Sequence, residues 1–259
     1  MTSNTQHRQQ PYAIRFDWGT SGADAIAPGS DVAVVIDVLS FTTTLTVALD
    51  VGATVVPWKV HDDSAAVYAR RRGAVLAVRR SEAGPGEVSL SPGTLRSGRP
   101  PSLLVLPSPN GSTISAQLKA GTSLCMGASL RNAPAVAAWI AENLAATSIV
   151  SVVAAGERWP DGELRPSIED LWGAGFVIAE LARLGDTRTI SPEARVARDA
   201  WTAVSTRVAT ELAESASGRE LIDAGFSEDV DIAAEVNSSS VVPVLESGEF
   251  TDAAASPTV

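Results

Sequence analysis

The chain has 259 residues, of which 45% are hydrophobic and 19% are charged, and its formal net charge is −10. This content is sufficient for a buried core, and the single cysteine, Cys125, excludes an intramolecular disulfide and favours a reducing cytoplasm. The negative charge would repel a nucleic-acid backbone. The chain also lacks an apolar run of about 18 residues that could span a bilayer, and its first ten residues lack the apolar segment of a secretory signal. The sequence therefore predicts a cytoplasmic protein with no nucleic-acid or membrane partner.

Short apolar runs alternate with helical patterns along the chain. The run at residues 32–39 is rich in β-branched side chains and too short for a helix, which is typical of a strand buried on both faces. Similar runs lie at residues 53–56, 75–78, 103–106, 123–126, 149–154 and 241–245. This alternation predicts an α/β protein in which helices flank a largely parallel sheet in three layers, arranged in two lobes.

Capping residues mark the predicted helices between these strands. Asp62 or Asp63 begins one that ends before Gly73, and Asn132 precedes another that runs to about residue 144. Further helical patterns lie at residues 110–119, 168–184 and 193–216. The second half of the chain is therefore predicted to be richer in helix.

Three segments lack these patterns. Residues 79–101 are dense in glycine, proline and serine and too long for an ordinary connection, so we expect either a loop facing the active site or a crossover between the two lobes. Residues 1–10 and 251–259 are polar or small and are predicted to be disordered tails. The α/β domain is then predicted to occupy residues 11–250.

Ligands of open α/β sheets bind beyond the carboxyl ends of the strands, so polar residues that directly follow the apolar runs are candidate site residues. The first such cluster is Asp37 with the hydroxyl side chains of Ser40, Thr42, Thr43 and Thr44. The second lies after the strand at residues 103–106 and contains Asn110, Gly111 and Ser112. Each precedes a helix, whose first N–H groups favour an anion, and each is equally explained as a turn and helix cap.

The third cluster is acidic. Glu157 follows Gly156 at a strand end, and Glu169 and Asp170 lie in the first turn of the next predicted helix. Stabilisation of that helix by its own dipole is one explanation. The other is that these carboxylates, together with Asp37, supply the oxygen ligands that Mg²⁺ prefers.

The residue types and motifs that the sequence lacks exclude several catalytic mechanisms. His7 and His61 are the only histidines in the sequence, which excludes a Ser-His-Asp triad and a multi-histidine zinc site within one chain. The sequence also contains neither GxxxxGK[ST] nor GxGxxG. Proton transfer must therefore be carried out by carboxylates. The charge of an anionic substrate must be neutralised by a metal ion, arginines or backbone amides.

The three clusters lie within segments that resemble the 2-phosphosulfolactate phosphatases of coenzyme M biosynthesis. The matching segments are, in order, VVIDVLSFTTTLTVALDVGATVV, PNGST, GASLRNAPAVA, VVAAGE, SIEDLWGAGFVIAEL and SGRELIDAGFSEDVDIAAEVNSSSVVPVL. They extend from residue 32 to residue 245. The resemblance implies an α/β fold and Mg²⁺-dependent hydrolysis of a phosphate monoester. It also implies site roles for Asp37, Asn110, Gly111, Gly156, Glu157, Glu169 and Asp170.

The predicted reaction is attack by water on a small phosphorylated substrate bridged to Mg²⁺. The expected metal ligands are Asp37, Glu157, Glu169 and Asp170, and the first three are also the expected catalytic residues. A covalent aspartyl-phosphate at Asp37 is the alternative route. The expected substrate-binding residues are Ser40, Thr42, Thr43, Thr44, Asn110, Gly111, Ser112 and Gly156, with Arg131 or Arg158 for a second anionic group.

Four positions of this sequence depart from the pattern that the resemblance implies, and two of them, Asn237 and Ser240, stand where that pattern has aspartates. Ser40 stands where that pattern has an arginine, and Ser217 stands where it has a histidine. Arginine binds phosphate and histidine transfers protons, so a non-catalytic protein that binds a phosphorylated ligand is the alternative function. A phosphatase for a different ester is a third reading. The sequence does not define the oligomeric state, which leaves a homodimer open.

Overall fold

The computed structural model describes residues 5–59, 62–97 and 99–255. The described strands are β1 (Ile14–Trp18), β2 (Val32–Ile36), β3 (Thr54–Trp58), β4 (Val75–Leu76), β5 (Leu103–Pro107), β6 (Leu124–Ala128), β7 (Val150–Ala154), β8 (Glu157–Arg158), β9 (Leu164–Arg165), β10 (Pro243–Glu246) and β11 (Glu249–Asp252). The described α-helices are α1 (Gly19–Ile26), α2 (Phe41–Asp50), α3 (Asp63–Arg72), α4 (Gly93–Ser97), α5 (Gly111–Gly121), α6 (Ala133–Asn143), α7 (Ile168–Arg183), α8 (Pro192–Val204), α9 (Val208–Glu214), α10 (Ala216–Asp223) and α11 (Ser227–Ala233).

Nine of the described strands form one sheet in the order β1-β7-β2-β6-β10-β11-β3-β5-β4. The first four strands form one parallel block and the last three another. The antiparallel hairpin of β10 and β11 joins the blocks by pairing with β6 on one side and β3 on the other. The predicted α/β fold with a largely parallel sheet is confirmed, and the two predicted lobes share this one sheet.

The alternation of side chains along β2 explains the three layers. Every residue of β2 is buried, as the apolar run at residues 32–39 predicts. Val34 and Ile36 belong to a core beneath α6, α7 and α8. Ala33 and Val35 point to the opposite face, where they join a second core beneath α1, α2 and α5.

The sequence patterns miss β1 and merge two helices. Arg15 interrupts the apolar character of β1, yet it is buried and its guanidinium donates hydrogen bonds to the backbone carbonyls of Tyr12, at 2.8 Å, and Ile26, at 3.3 Å. The helix predicted at residues 193–216 is two helices, α8 and α9. A turn in which the Arg207 N–H bonds the Val204 carbonyl, at 2.8 Å, separates them.

The predicted tails are shorter than their composition indicates. Residues 5–8 form a short 3₁₀ helix, and Gln9 is buried because its side-chain amide bonds both the carbonyl and the N–H of Phe16 in β1. At the other end, residues 251 and 252 belong to β11. These residues are therefore part of the fold, while residues 1–4 and 256–259 of the predicted tails lie outside the described residues.

The segment at residues 79–101, of which residue 98 lies outside the description, connects β4 to β5. These strands are parallel neighbours, so the segment is not a crossover between the two blocks, and this alternative is wrong. The segment instead packs on α2, where the Thr44 hydroxyl donates to the Leu90 carbonyl at 2.6 Å. It therefore lies on the same side of the sheet as α2, the helix whose first turn binds Asp37. No helix in the described part of the chain is long and apolar enough to cross a membrane.

Candidate active site

The carboxyl ends of β2, β5 and β7 bring the three predicted clusters together. Asp37 follows β2, Asn110 follows β5 and Glu157 follows Ala155 and Gly156 after β7. The Gly111 N–H donates to Asp37 Oδ2 at 2.8 Å, and Asn110 Nδ2 donates to Glu157 Oε2 at 3.0 Å. Since β5 belongs to one parallel block and β2 and β7 to the other, both blocks contribute to the site.

Asp37 lies between the first turns of two helices. Its Oδ1 atom accepts a hydrogen bond from the Phe41 N–H of α2 at 3.1 Å, and its Oδ2 atom accepts the bond from Gly111 of α5. The N–H groups predicted to hold a phosphate therefore bind a carboxylate of the protein itself. Only glycine fits at position 111, because a Cβ atom there would lie 2.3 Å from the Phe41 ring and 2.7 Å from Asp37 Oδ2.

Asp170 joins the ends of two neighbouring strands. Its Oδ1 atom accepts a hydrogen bond from the Val38 N–H at 2.7 Å, and its Oδ2 atom accepts one from the Gly156 N–H at 2.9 Å. The Gly156 amide, predicted to bind substrate, is thus occupied by Asp170. Gly156 has a φ of +65°, and a Cβ atom there would lie 2.7 Å from the Leu164 side chain, so glycine is required at this bend.

The four predicted carboxylates perturb one another. Burial, followed by the charge of Glu157, raises the pKa of Asp37 to about 7, while backbone hydrogen bonds and Arg80 oppose the rise. Burial, followed by the charges of Asp37 and Glu169, raises the pKa of Asp170 well above its usual value. Burial likewise raises the pKa values of Glu157 and Glu169. The cluster therefore favours uptake of protons or of a cation.

The carboxylate oxygens of this cluster suit Mg²⁺ better than a metal ion whose ligands all come from protein side chains. No group of three or more His, Cys, Asp or Glu side chains within the described ranges is arranged to hold a metal ion. Mg²⁺ needs only one or two carboxylates, with water and substrate phosphate completing its coordination. Ser167 directly precedes α7, and its buried hydroxyl has no hydrogen-bond partner among the described residues. Such an orphaned group suits a water or ligand in this region.

Most of the predicted hydroxyl ligands bind the main chain instead. The hydroxyls of Thr42 and Thr43 donate to the carbonyls of Asp37 and Val38, at 2.8 and 2.7 Å, and Thr44 binds the segment at residues 79–101. The Ser112 hydroxyl donates to the Leu106 carbonyl at 3.1 Å. All four side chains are buried. The structure therefore gives them a role in fixing the helix starts, because short hydroxyl side chains reach nearby carbonyls.

The two arginines predicted for a second anionic group lie in different places. Arg131 is buried and donates to Thr46 Oγ1 at 3.1 Å, to Asp50 at 2.8 Å and to Glu235. Because Asp50 is the last residue of α2, Arg131 is bound at the end of that helix remote from Asp37. The structure therefore does not bring it to the acidic cluster, and its contact with substrate stays a prediction. Arg158 lines a small cavity of about 50 Å³ together with Asn110 and Glu157.

Two other arginines lie beside the acidic cluster. Arg165 of β9 pairs with Glu157 of β8 in a short hairpin, donates to the Ser217 hydroxyl at 3.3 Å and lowers the pKa values of Glu157 and Glu169. Arg80 donates to the Ser40 hydroxyl. The composition of residues 79–101 indicates a loop that could face the site but does not single out Arg80, and no sequence pattern indicates Arg165.

The described arrangement is that of an α/β protein with a cluster of charged side chains at the carboxyl edge of its sheet, the edge at which such folds bind ligands. Residues 23–248 match the family model described as 2-phosphosulpholactate phosphatase, and the chain belongs to this family. The resemblance found in the sequence is thus confirmed. A Thermus thermophilus protein named "Probable 2-phosphosulfolactate phosphatase" is 33% identical over 220 residues, covering 83% of this chain and 88% of that protein. A Deinococcus radiodurans protein of the same name is 31% identical over 234 residues, covering 87% and 92%.

Proposed function

We propose that this protein hydrolyses the phosphate monoester of a small anionic acid, with 2-phosphosulfolactate as the first substrate to test. The observation that carries the proposal is the cluster of four carboxylates, all with raised pKa values, flanked by Arg80 and Arg165. Such a cluster suits a cation and a phosphate ester together. The names of the two relatives support the choice of substrate.

We propose Glu157 and Glu169 as the residues that hold Mg²⁺, with Asp37 and Asp170 behind them. The ion would supply neutralisation of the phosphate charge. Arg165 would donate hydrogen bonds to phosphoryl oxygens, since its guanidinium already lies close enough to lower the pKa values of Glu157 and Glu169.

The pKa of Asp37 favours a role in proton transfer. A carboxyl group with a pKa of about 7 takes up and releases a proton near neutral pH, as a general base for an attacking water must. The bonds from Phe41 and Gly111 hold both oxygens in a fixed orientation. The covalent route through Asp37 stays an alternative, and trapping of a phosphorylated enzyme at Asp37 would establish it.

The test is phosphate release from 2-phosphosulfolactate, other phospho-acids, sugar phosphates and nucleotides, each with Mg²⁺, Mn²⁺ or EDTA. We expect release from a phospho-acid with either metal ion and none in EDTA. Full activity in EDTA would contradict the proposed metal site. Tight binding of phospho-acids without phosphate release would instead identify a non-catalytic phospho-ligand-binding protein.

A further inference from the structure

A second pocket lies next to the acidic cluster, on the side formed by residues 79–101. Its volume is about 510 Å³. We call it the basic pocket; its lining includes Lys59, Arg79, Arg80, Ser108, Pro109 and Phe226. Ser108 and Pro109 directly precede Asn110, and Arg80 acts on the pKa of Asp37, so the pocket adjoins the proposed reaction site. An extended substrate can therefore occupy both.

Arg80 is fixed within this pocket by groups from two other parts of the chain. Its Nε atom donates to Asp229 Oδ2 at 2.8 Å, and its Nη2 atom donates to the Ser40 hydroxyl. The other carboxylate oxygen of Asp229 accepts a hydrogen bond from Ser91. Asp229 is only 1% exposed, so this pairing is shielded from solvent. The guanidinium is consequently held in one orientation.

The other two cations of the basic pocket are not held in this way. Lys59 is exposed. Among the described residues Arg79 forms only a 3.4 Å ion pair with Glu82, in which both side chains are more than half exposed. The Arg80 side chain is 19% exposed, and its Nη1 atom has no hydrogen-bond partner among the described residues. Arg80 thus combines a fixed position with unused donors, which is the property expected of a residue that recognises an anionic group.

We propose that Arg80 binds the non-reacting acid group of the substrate, a carboxylate or a sulfonate, and that Asp229 is the residue that positions it. This inference rests on the proposed function. Arg165 lies on the Glu157 and Glu169 side of the cluster and Arg80 on the side of the basic pocket. A phosphorylated acid carries a phosphate and at least one acid group. Arg165 would bind the phosphate that reacts, and Arg80 would bind the acid group that is recognised.

The first test compares esters that differ only in the acid group. In isopropyl phosphate a methyl group replaces the carboxylate of 2-phospholactate, and 2-phosphosulfolactate adds a sulfonate. We expect Arg80→Gln to lower the preference for an acidic ester over isopropyl phosphate at least about tenfold, mainly through KM, since hydrogen bonds to charged groups have this magnitude. A reduced preference for both 2-phospholactate and 2-phosphosulfolactate would show that Arg80 binds the carboxylate. A reduced preference for 2-phosphosulfolactate alone would show that it binds the sulfonate. An unchanged preference for both would overturn the proposal.

A matched control is Arg183→Gln, because Arg183 is 65% exposed and, within the described part of the chain, pairs only with Glu180 at the end of α7. This variant should leave the preference unchanged. Asp229→Asn should reproduce the KM effect of Arg80→Gln, and Asp229→Glu should restore part of it. The double variant of Arg80 and Asp229 should lose no more than Arg80→Gln alone, because Asp229 acts through Arg80. Additive losses, or an equal loss on isopropyl phosphate, would contradict a positioning role.

Ligand binding separates this inference from the proposed reaction. Calorimetric titration of sulfolactate, the dephosphorylated product, requires no turnover. We expect the parent protein to bind sulfolactate at least about tenfold more tightly than Arg80→Gln. If the parent releases no phosphate from any ester yet shows this difference, the proposed hydrolysis fails and the role of Arg80 stands. Equal binding by both proteins, or no binding by the parent, would refute the role of Arg80, and thermal melts of all variants confirm that they are folded.

Discussion

The Asp37→Asn variant should make the stability of the protein less dependent on pH. Asp37 is 6% exposed, and its pKa rises from 3.8 to about 7 on folding. The folded state therefore holds a proton that the unfolded state has already released, so the stability falls as the pH rises from about 4 to about 7. Asparagine has no charge to bury and removes this contribution.

The magnitude follows from the size of the pKa change. At about 1.4 kcal/mol for each pKa unit, the ionised Asp37 costs at most about 4 kcal/mol above pH 7. Domains of this size change their melting temperature by roughly 2–4 °C for each kcal/mol, so the contribution is on the order of 10 °C. Asparagine also loses one of two oxygen acceptors for buried N–H groups, which costs about 1–3 kcal/mol at every pH. The variant should be less stable than the parent at pH 5, and this difference should shrink or reverse by pH 8.

The assay is thermal unfolding in EDTA from pH 4 to pH 8, with Asp199→Asn as the control. Asp199 is exposed and pairs, among the residues that the structure describes, only with Arg198. The control should retain the pH dependence of the parent. Parallel curves for the parent and Asp37→Asn would show that Asp37 does not carry the raised pKa. With Mg²⁺ present, we also expect Asp37→Asn to lower kcat on the best substrate about a hundredfold or more, which is about 3 kcal/mol.

Three further predictions concern the site and its surroundings. Glu157→Gln should lower kcat about a hundredfold and weaken the Mg²⁺ dependence, whereas the exposed Glu142→Gln should leave both unchanged in the same phosphate-release assay. Gly111→Ala should lower the free energy of unfolding by about 1–3 kcal/mol and reduce kcat, because its methyl group collides with the site, while Gly121→Ala, where nothing lies within 4 Å, should do neither. Arg131→Met should lower the melting temperature without changing kcat or KM, because it removes the buried bonds of Arg131 to Thr46 and Asp50. A large rise in KM would instead indicate that Arg131 contacts the substrate.

The strands that sequence reasoning finds most directly are those buried on both faces. Such strands are predominantly apolar, as in β2 and β7, and their pattern is visible without knowledge of the fold. β1 escapes the same reasoning because Arg15 and Asp17 alternate with its apolar residues. The carbonyl groups that satisfy Arg15 come from Tyr12 and Ile26, and only the tertiary structure shows them.

The candidate site was predictable to a similar extent. The position after a parallel strand identifies Asp37, Asn110 and Glu157, because all such strand ends meet at one edge of the sheet. The residue with which a side chain pairs could not be predicted in this way. Arg80 and Asp229 form their ion pair 149 positions apart in the sequence, and nothing near either residue indicates the other.

The hairpin of β10 and β11 has a consequence for how the protein emerges from a ribosome. These two strands follow every other described strand in the sequence, yet they lie between the two parallel blocks. Until they are synthesised, the edges of β6 and β3 have no partner and are open to pairing with other nascent chains. Asp37 and Gly111 come from opposite sides of this gap, so a growing polypeptide can order both blocks and still remain inactive until the hairpin inserts.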